Sequence, residues 1–164
     1  YVMRICNISF KGMPDNYAKV DSFLSRSAQP QKDDFQWLKA QGVTDVINFR
    51  TMKASGLDFE EKDVVEKAGM RYHNIPTVSA SPEKKGVFNF LDLIKKIAQN
   101  HGKVHIHCKA GADRTGMYSF IYKSLKGLGT EKENVAEWIK KGHNPKRYPN
   151  MISWTENLVK QIKK

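Results

Sequence analysis

The chain has 164 residues, a length that fits a single domain spanning residues 1–164 with a core needing no covalent staples, and its only two cysteines exclude a disulfide framework. Lys and Arg number 28 against 17 Asp and Glu, a net charge of +11 that favours anionic partners, or else simply a solvated surface. The basic clusters at 140–147 and 160–164 lack the interleaved aromatics of a nucleic-acid platform, and no apolar run approaches the roughly 20 residues that span a bilayer.

The elements alternate between helix and strand periods. A helix is expected over about Lys32 to Gln41, stopped by Gly42, and a β-branched strand over Val43 to Phe49. The run from Phe59 reads as a second helix ended by Gly69, and Met70 to Ile75 as a strand ended by Pro76. Ser81 is placed to cap the next helix with Pro82 in its first turn, and Val87, Phe90, Leu91, Ile94 and Ile97 recur at helical spacing before Gly102 closes it. Lys103 to Cys108 reads as a buried strand. Met117, Phe120, Ile121, Leu125 and Leu128 mark a helix that begins just after a glycine loop. Thr130 and Glu133 have capping-box spacing for a helix with Val135, Trp138 and Ile139, and a last helix is expected from about Asn150 to the end. This order defines an α/β fold with a central, mostly parallel sheet flanked by helices. The three tryptophans, 37, 138 and 154, read as packing residues, and Cys6 as a free thiol. The chain starts with Tyr1, so a removed initiator or signal peptide stays open; a cytoplasmic location is favoured over a secreted or periplasmic one.

The chemistry concentrates in "HCKAGADRTG", residues 107–116. In a strand-to-helix turn, backbone N–H groups and the positive helix end face one concavity, which binds an oxyanion. Lys109, Ala110, Gly111, Ala112, Asp113 and Arg114 are therefore the candidate phosphate-binding residues, with Gly111 and Ala112 keeping the concavity open. Arg114 can fork two donors onto two phosphate oxygens. Cys108 lies at the base of the bowl as candidate nucleophile. A free thiol is only about 3% ionised at pH 7, and helix N-termini favour the attacking thiolate. His107 is expected to orient the loop from the strand, and the Thr115 hydroxyl to hydrogen-bond the sulfur as it attacks and leaves. His105 and His107 lie on a strand, where neighbouring positions point to opposite faces; His105 reads as a buried, satisfied histidine, and no metal site is expected. His101 and His143 lie beside helix-ending glycines and read as ordinary terminal residues.

These residues resemble the Cys-x5-Arg signature loop of the cysteine-dependent protein tyrosine phosphatase superfamily, in particular its small atypical dual-specificity-like branch. "FLSRSAQP" with "LKAQGVTDVINFR" resembles the opening of atypical members, in which an RSAQP-type segment precedes a helix and a strand ending in Arg, so the likeness runs from about Phe23 to Leu128. It implies a dual-specificity-phosphatase-like fold, a phosphocysteine intermediate on Cys108, phosphoryl binding by Arg114, and no metal or organic cofactor. Implied substrates are phosphotyrosine, phosphoserine or phosphothreonine in proteins, or an inositol phosphate or phosphoinositide; the chain is expected to act as a monomer.

Family members carry an acid, an aspartate about 30 residues before the cysteine, but here that region, Ile75 to Lys85, contains no Asp. Three assignments stay open. Asp113 is favoured, because "ADRTG" is similar to the Asp-Arg-Thr of myotubularin-like and bacterial lipid/tyrosine phosphatases. Its alternative duty is to anchor Arg114 or a nearby amide. Glu83 is the second candidate, although the first turn of a helix suits it to dipole compensation. The third is that no acid is used, which leaves either slow chemistry or a phosphate-binding pseudophosphatase. "HCKAG" also resembles the loop opening of tensin-type phosphoinositide phosphatases, although Ala112 stands where those enzymes carry a second lysine.

Overall fold

The computed structural model describes residues 12–51 and 56–164; Cys6 lies outside them. The described chain runs β1 (Ala18–Lys19), β2 (Leu24–Ser27), α1 (Asp34–Ala40), β3 (Asp45–Asn48), α2 (Glu61–Lys67), β4 (Arg71–Asn74), α3 (Lys84–Gln99), β5 (Val104–His107), α4 (Asp113–Lys126), α5 (Glu131–Lys140) and α6 (Met151–Lys163). The five strands form one sheet in the order β1-β2-β5-β3-β4, in which only the β1–β2 pairing is antiparallel. This is the α/β, mostly parallel architecture that the alternating pattern implies. Among the described residues, no helix is long and apolar enough to cross a membrane.

Pleating sorts the strand residues between two cores. Ile47, Val104 and Ile106 face one side, with Val87, Phe90, Ile94 and Ile97 of α3, Met117 and Ile121 of α4, Trp138 of α5 and Leu158 of α6. Val46 faces the other, with Phe35 and Leu38 of α1 and Val65 of α2. The central strand β5 thus ends between two covered faces. Beyond His107 the chain emerges at the carboxyl edge of a parallel sheet, where open α/β folds hold their ligands.

Two helix ends differ from the sequence-based expectation. Helix α3 starts at Lys84 with Glu83 as its N-cap and no side-chain cap bond, so Ser81 does not cap it. A cap hydroxyl reaches the amides two or three residues on, whereas the second and third helical amides here belong to Lys85 and Gly86, beyond that reach from Ser81, whose own N–H donates to the Val78 carbonyl at 3.2 Å in the preceding turn. At the other end, His101 takes the left-handed turn with φ +59°, and Gly102 comes next, donating to the Ile97 carbonyl at 2.8 Å. Glycine is required there by space: a Cβ would lie 2.7 Å from both Ile97 Cγ2 and Thr44 Oγ1. The capping box of α5 is complete, with Glu133 N donating to Thr130 Oγ1 (3.1 Å) and Thr130 N to Glu133 Oε1 (3.0 Å). Within α5, Trp138 is buried but Ile139 is exposed.

The strand β2 is not evident from hydrophobic pattern. All four of its residues, Leu24, Ser25, Arg26 and Ser27, are buried, and three of them are polar. They are there for specific partners. Ser27 gives its hydroxyl proton to the Ala28 carbonyl (2.7 Å), so His105 Nε2–H donates to Ser27 (2.7 Å) while Ser25 donates to His105 Nδ1 (2.7 Å). Burial first, and the neighbouring His107 second, hold the His105 pKa well below its ordinary value. The ring is therefore a neutral, fully bonded strut, stacked against Tyr17.

Candidate active site

Cys108 comes directly after the last residue of β5, is buried and is a free thiol. Residues 109–112 curve from there into α4, whose N-cap is Ala112. Alanine offers no side chain to the first-turn amides, and none is capped by one.

The orientation of the loop amides is set by what holds its carbonyls. Cys108 O accepts from His107 Nδ1 (3.2 Å), and Lys109 O from Gln29 N (3.0 Å). Ala110 O accepts from Asn16 Nδ2 (3.2 Å), and Gly111 O from Arg26 Nη2 (2.8 Å). Four successive carbonyls are thus tied to the surrounding scaffold. Because a trans peptide is planar with its C=O and N–H opposed, each anchored carbonyl turns the next N–H, of residues 109 to 112, to the opposite side. The loop is also seated from below. Gly111 has φ +71°, and a Cβ on it would lie 2.5 Å from Ala28 N and 2.6 Å from Ser27 C. Glycine is required at this position for both reasons.

The scaffold donors form two buried groups. In one, His107 Nε2 meets Glu61 Oε2 at 2.7 Å, Gln29 Nε2 donates to Glu61 Oε1 at 2.7 Å, and Arg50 Nη1 donates to Gln29 Oε1 at 3.0 Å. Burial and then the nearby Arg114 guanidinium pull the Arg50 pKa down, opposed by Glu61 and Cys108. In the other, Arg26 is buried beneath the loop; burial lowers its pKa, and Glu137 and Cys108 act against that shift. Arg26 Nε has no hydrogen-bond partner among the described residues. Buried cations beside the cysteine raise the local positive potential, which favours a bound dianion.

Of the other residues singled out in the sequence, Arg114 is half-buried, with Nη1 3.4 Å from the Thr77 carbonyl. Thr77 is itself held by Tyr118, whose hydroxyl lies 2.8 Å from Thr77 Oγ1 and whose pKa burial pushes up to about 12. Lys109 and Ala110 are exposed at the rim. The Thr115 hydroxyl is buried and makes no hydrogen bond among the described residues, to the sulfur or otherwise. Glu83 is exposed and lines a cavity of about 330 Å³ with Thr77, Val78 and Tyr118. Asp113 opens α4, and its Oδ1 accepts from His143 Nδ1 at 2.6 Å and from Asn144 N at 3.1 Å. His143 is thus not an ordinary helix-end residue: it is buried against Trp138, with its ring centroid 4.8 Å away.

Sequence reasoning missed Asn16, Arg26, Gln29, Glu61 and His143. Arg26, Gln29 and Arg50 lie inside the "FLSRSAQP" and "LKAQGVTDVINFR" segments, so their presence was legible but their duties were not. Asn16, Glu61 and His143 come from remote segments with no local pattern, and only the fold brings them to the loop.

A buried thiol thus follows the carboxyl edge of a parallel sheet, and Arg114 lies in the first turn of the helix that the anchored loop enters. The chain belongs to the family described as "Polymorphic toxin system, DSP-PTPase phosphatase", whose model matches residues 22–124, more than half of its length. It is 24% identical over 127 residues to the dual specificity protein phosphatase TpbA of Pseudomonas aeruginosa strain UCBPP-PA14, a match covering 77% of this chain and 54% of that protein. The chain thus spans about half the length of this curated relative. Among solved structures, it is similar in fold to P. aeruginosa TpbA in complex with pTyr, with TM-score 0.70, 20% identity, and coverage of 85% of this chain and 82% of that one. The core catalytic domain of the PP-IP phosphatase SIW14 from S. cerevisiae, in complex with citrate, matches with TM-score 0.72, 17% identity and 91% of each chain.

Proposed function

We propose that this chain hydrolyses phosphomonoesters through a phosphocysteine intermediate on Cys108. The observation that carries the reading is the outward anchoring of the carbonyls of residues 108–111, which aims the next four amides to the other side of the loop. With Arg114 they form a preorganised cradle for three equatorial oxygens, a type of stabilisation in which each donor contributes about 10²–10³-fold to rate.

In the first step the Cys108 thiolate attacks phosphorus in line. An S–P bond forms, the P–O bond to the leaving group breaks, and the leaving oxygen keeps that electron pair and takes a proton from Asp113. In the second step water attacks the phosphocysteine. Its proton returns to Asp113, a new P–O bond forms, and sulfur departs as thiolate with inorganic phosphate released. The enzyme ends in its starting state. Asp113 is assigned the acid and base role because it adjoins Arg114 at the loop, whereas Glu83 stands exposed at the start of α3.

The substrate class is a polyanionic or phosphorylated protein ligand: phosphotyrosine, phosphoserine or phosphothreonine, or an inositol phosphate or phosphoinositide. Support comes from the net charge of +11, from exposed Lys109 at the rim, and from the ligands and activities named for TpbA and SIW14. The test is a panel of phosphopeptides and inositol phosphates assayed with wild type and Cys108→Ser. Wild type should release phosphate from at least one class and Cys108→Ser from none, with vanadate binding retained. Equal turnover by the two proteins would refute the nucleophile. Tight vanadate binding without turnover of any substrate would make the chain a pseudophosphatase.

A further inference from the structure

Asp113 is held at both its main chain and its side chain by one segment, the end of α5 and the turn after it. Trp138 Nε1 donates to the Asp113 carbonyl at 3.2 Å. His143 Nδ1 and Asn144 N both meet the carboxyl at Oδ1, at 2.6 and 3.1 Å. The segment is itself held by several hydrogen bonds. The His143 N–H is bonded to the Trp138 carbonyl (3.1 Å), Asn144 Oδ1 accepts from the amides of Lys146 and Arg147, and Asn16 Nδ2 bridges the Lys141 carbonyl (3.0 Å) to the Ala110 carbonyl.

Two features separate this contact from ordinary packing. First, the bonds converge on one oxygen. Among the described residues Oδ1 takes both donors and Oδ2 takes none. Second, His143 is buried with its Nε2 unpartnered among the described residues, an unfavourable arrangement for a polar atom. The one hydrogen bond that the ring makes among them is therefore the one from Nδ1 to Asp113. Oδ1 can accept from an Nδ1–H whether Asp113 is ionised or carries a proton on Oδ2, and the bond therefore persists through both halves of a proton-transfer cycle.

We propose that His143 is a positioning residue of the reaction, which clamps Asp113 Oδ1 so that Oδ2 alone carries the proton exchanged with the leaving oxygen and then with water. This rests on the assignment of Asp113 as acid and base. His143 itself touches no substrate and gains or loses no proton. The proton given to the leaving oxygen in the first step comes from Oδ2, and the one taken from water in the second returns there.

The test compares an activated aryl phosphate with an alkyl phosphate, because acid assistance matters most for poor leaving groups. Asp113→Asn should lower kcat/KM on the alkyl ester by about 10²-fold or more while the aryl ester changes by less than about threefold. His143→Gln retains size but puts its amide nitrogen near the ring Nε2 position, away from Oδ1, and should reproduce that split in part, with about a tenfold alkyl loss. His143→Asn, whose amide nitrogen matches Nδ1, should recover most of the alkyl rate. The double variant Asp113→Asn/His143→Gln should be no slower than Asp113→Asn alone. Equal losses on both esters in His143→Gln, failure of His143→Asn to rescue relative to Gln, or a double variant slower than Asp113→Asn would each overturn the inference while leaving Asp113 as acid. If Asp113→Asn shows no dependence on leaving group, the acid assignment fails and the inference fails with it, and the Cys108 chemistry stands by its own test.

Discussion

Replacing Gly111 with alanine probes how the loop is seated. The added Cβ would sit 2.5 Å from Ala28 N and 2.6 Å from Ser27 C, roughly 1 Å inside the 3.4 Å where ordinary contact begins. Both obstacles are backbone atoms at the end of a buried strand, so the loop must lift and not the strand yield. The left-handed φ of +71° adds about 1–2 kcal/mol of intrinsic strain for a residue with a side chain. Lifting also stretches the 2.8 Å bond from Arg26 to Gly111 O, which is what turns the Ala112 amide. A displacement of about 1 Å in a reacting geometry is worth about 10²-fold, and loss of one oxyanion donor about 10²–10³-fold. Gly111→Ala should therefore lower kcat/KM on an aryl phosphate by about 10²–10³-fold and weaken vanadate binding by about tenfold or more. The strain should also lower Tm by about 2–8 °C. Steady-state kinetics, vanadate titration and a thermal melt on the same preparation check these. A folded variant with activity within about threefold of wild type would refute the idea that the seat beneath Gly111 sets the amide directions.

Two other perturbations test the scaffold. Arg26→Met fills similar space but removes the charged donor to Gly111 O; a hydrogen bond to a charged group contributes about 1.5–3 kcal/mol, so kcat/KM should fall by at least about tenfold with a modest loss of stability, read from kinetics and denaturant melts. Asp45 lies away from the loop at the start of β3, where burial pushes its carboxyl up but hydrogen bonds from His73, Arg71 and Thr44 and the Arg71 charge override this, bringing it from 3.8 to about 2. The folded state then binds fewer protons at this site, so the stabilisation is complete above about pH 4, declines as the pH falls and is gone below about pH 2. Its size is on the order of 2 kcal/mol, so Asp45→Asn should be less stable by about that amount at pH 7 and match wild type near pH 2 in urea melts at both values.

The parts of this protein that were legible in the sequence are those that depend on neighbours along the chain. Helical periodicity marked α3 and α4, Thr130 and Glu133 marked the start of α5, and the strand, glycine loop and helix around Cys108, which carry the candidate site, followed from local pattern. The Ser81 cap fails because α3 starts at Lys84, which leaves the first-turn amides beyond the reach of the Ser81 hydroxyl. The strand β2 went unnoticed because Ser25, Arg26 and Ser27 are polar, and their burial makes sense only once His105 and Gly111 are known to lie opposite them. His143 was read as a helix terminus for the same reason: its partner, Asp113, is 30 positions earlier in sequence and meets it only through the packing of α5 on α4. Local pattern reveals secondary structure and a contiguous loop; the side chains that aim the loop come from segments that only tertiary contact brings together.

The proposed reaction stands or falls on a covalent bond between Cys108 sulfur and the transferred phosphorus. Rapid mixing of the protein with an activated aryl phosphate, acid quench within the first turnover and mass analysis of the peptide containing Cys108 measures it directly. This peptide should gain the mass of one phosphoryl group in wild type and not in Cys108→Ser. Single-turnover release of phosphate without the adduct at any quench time, or the same adduct on another residue, would contradict the mechanism.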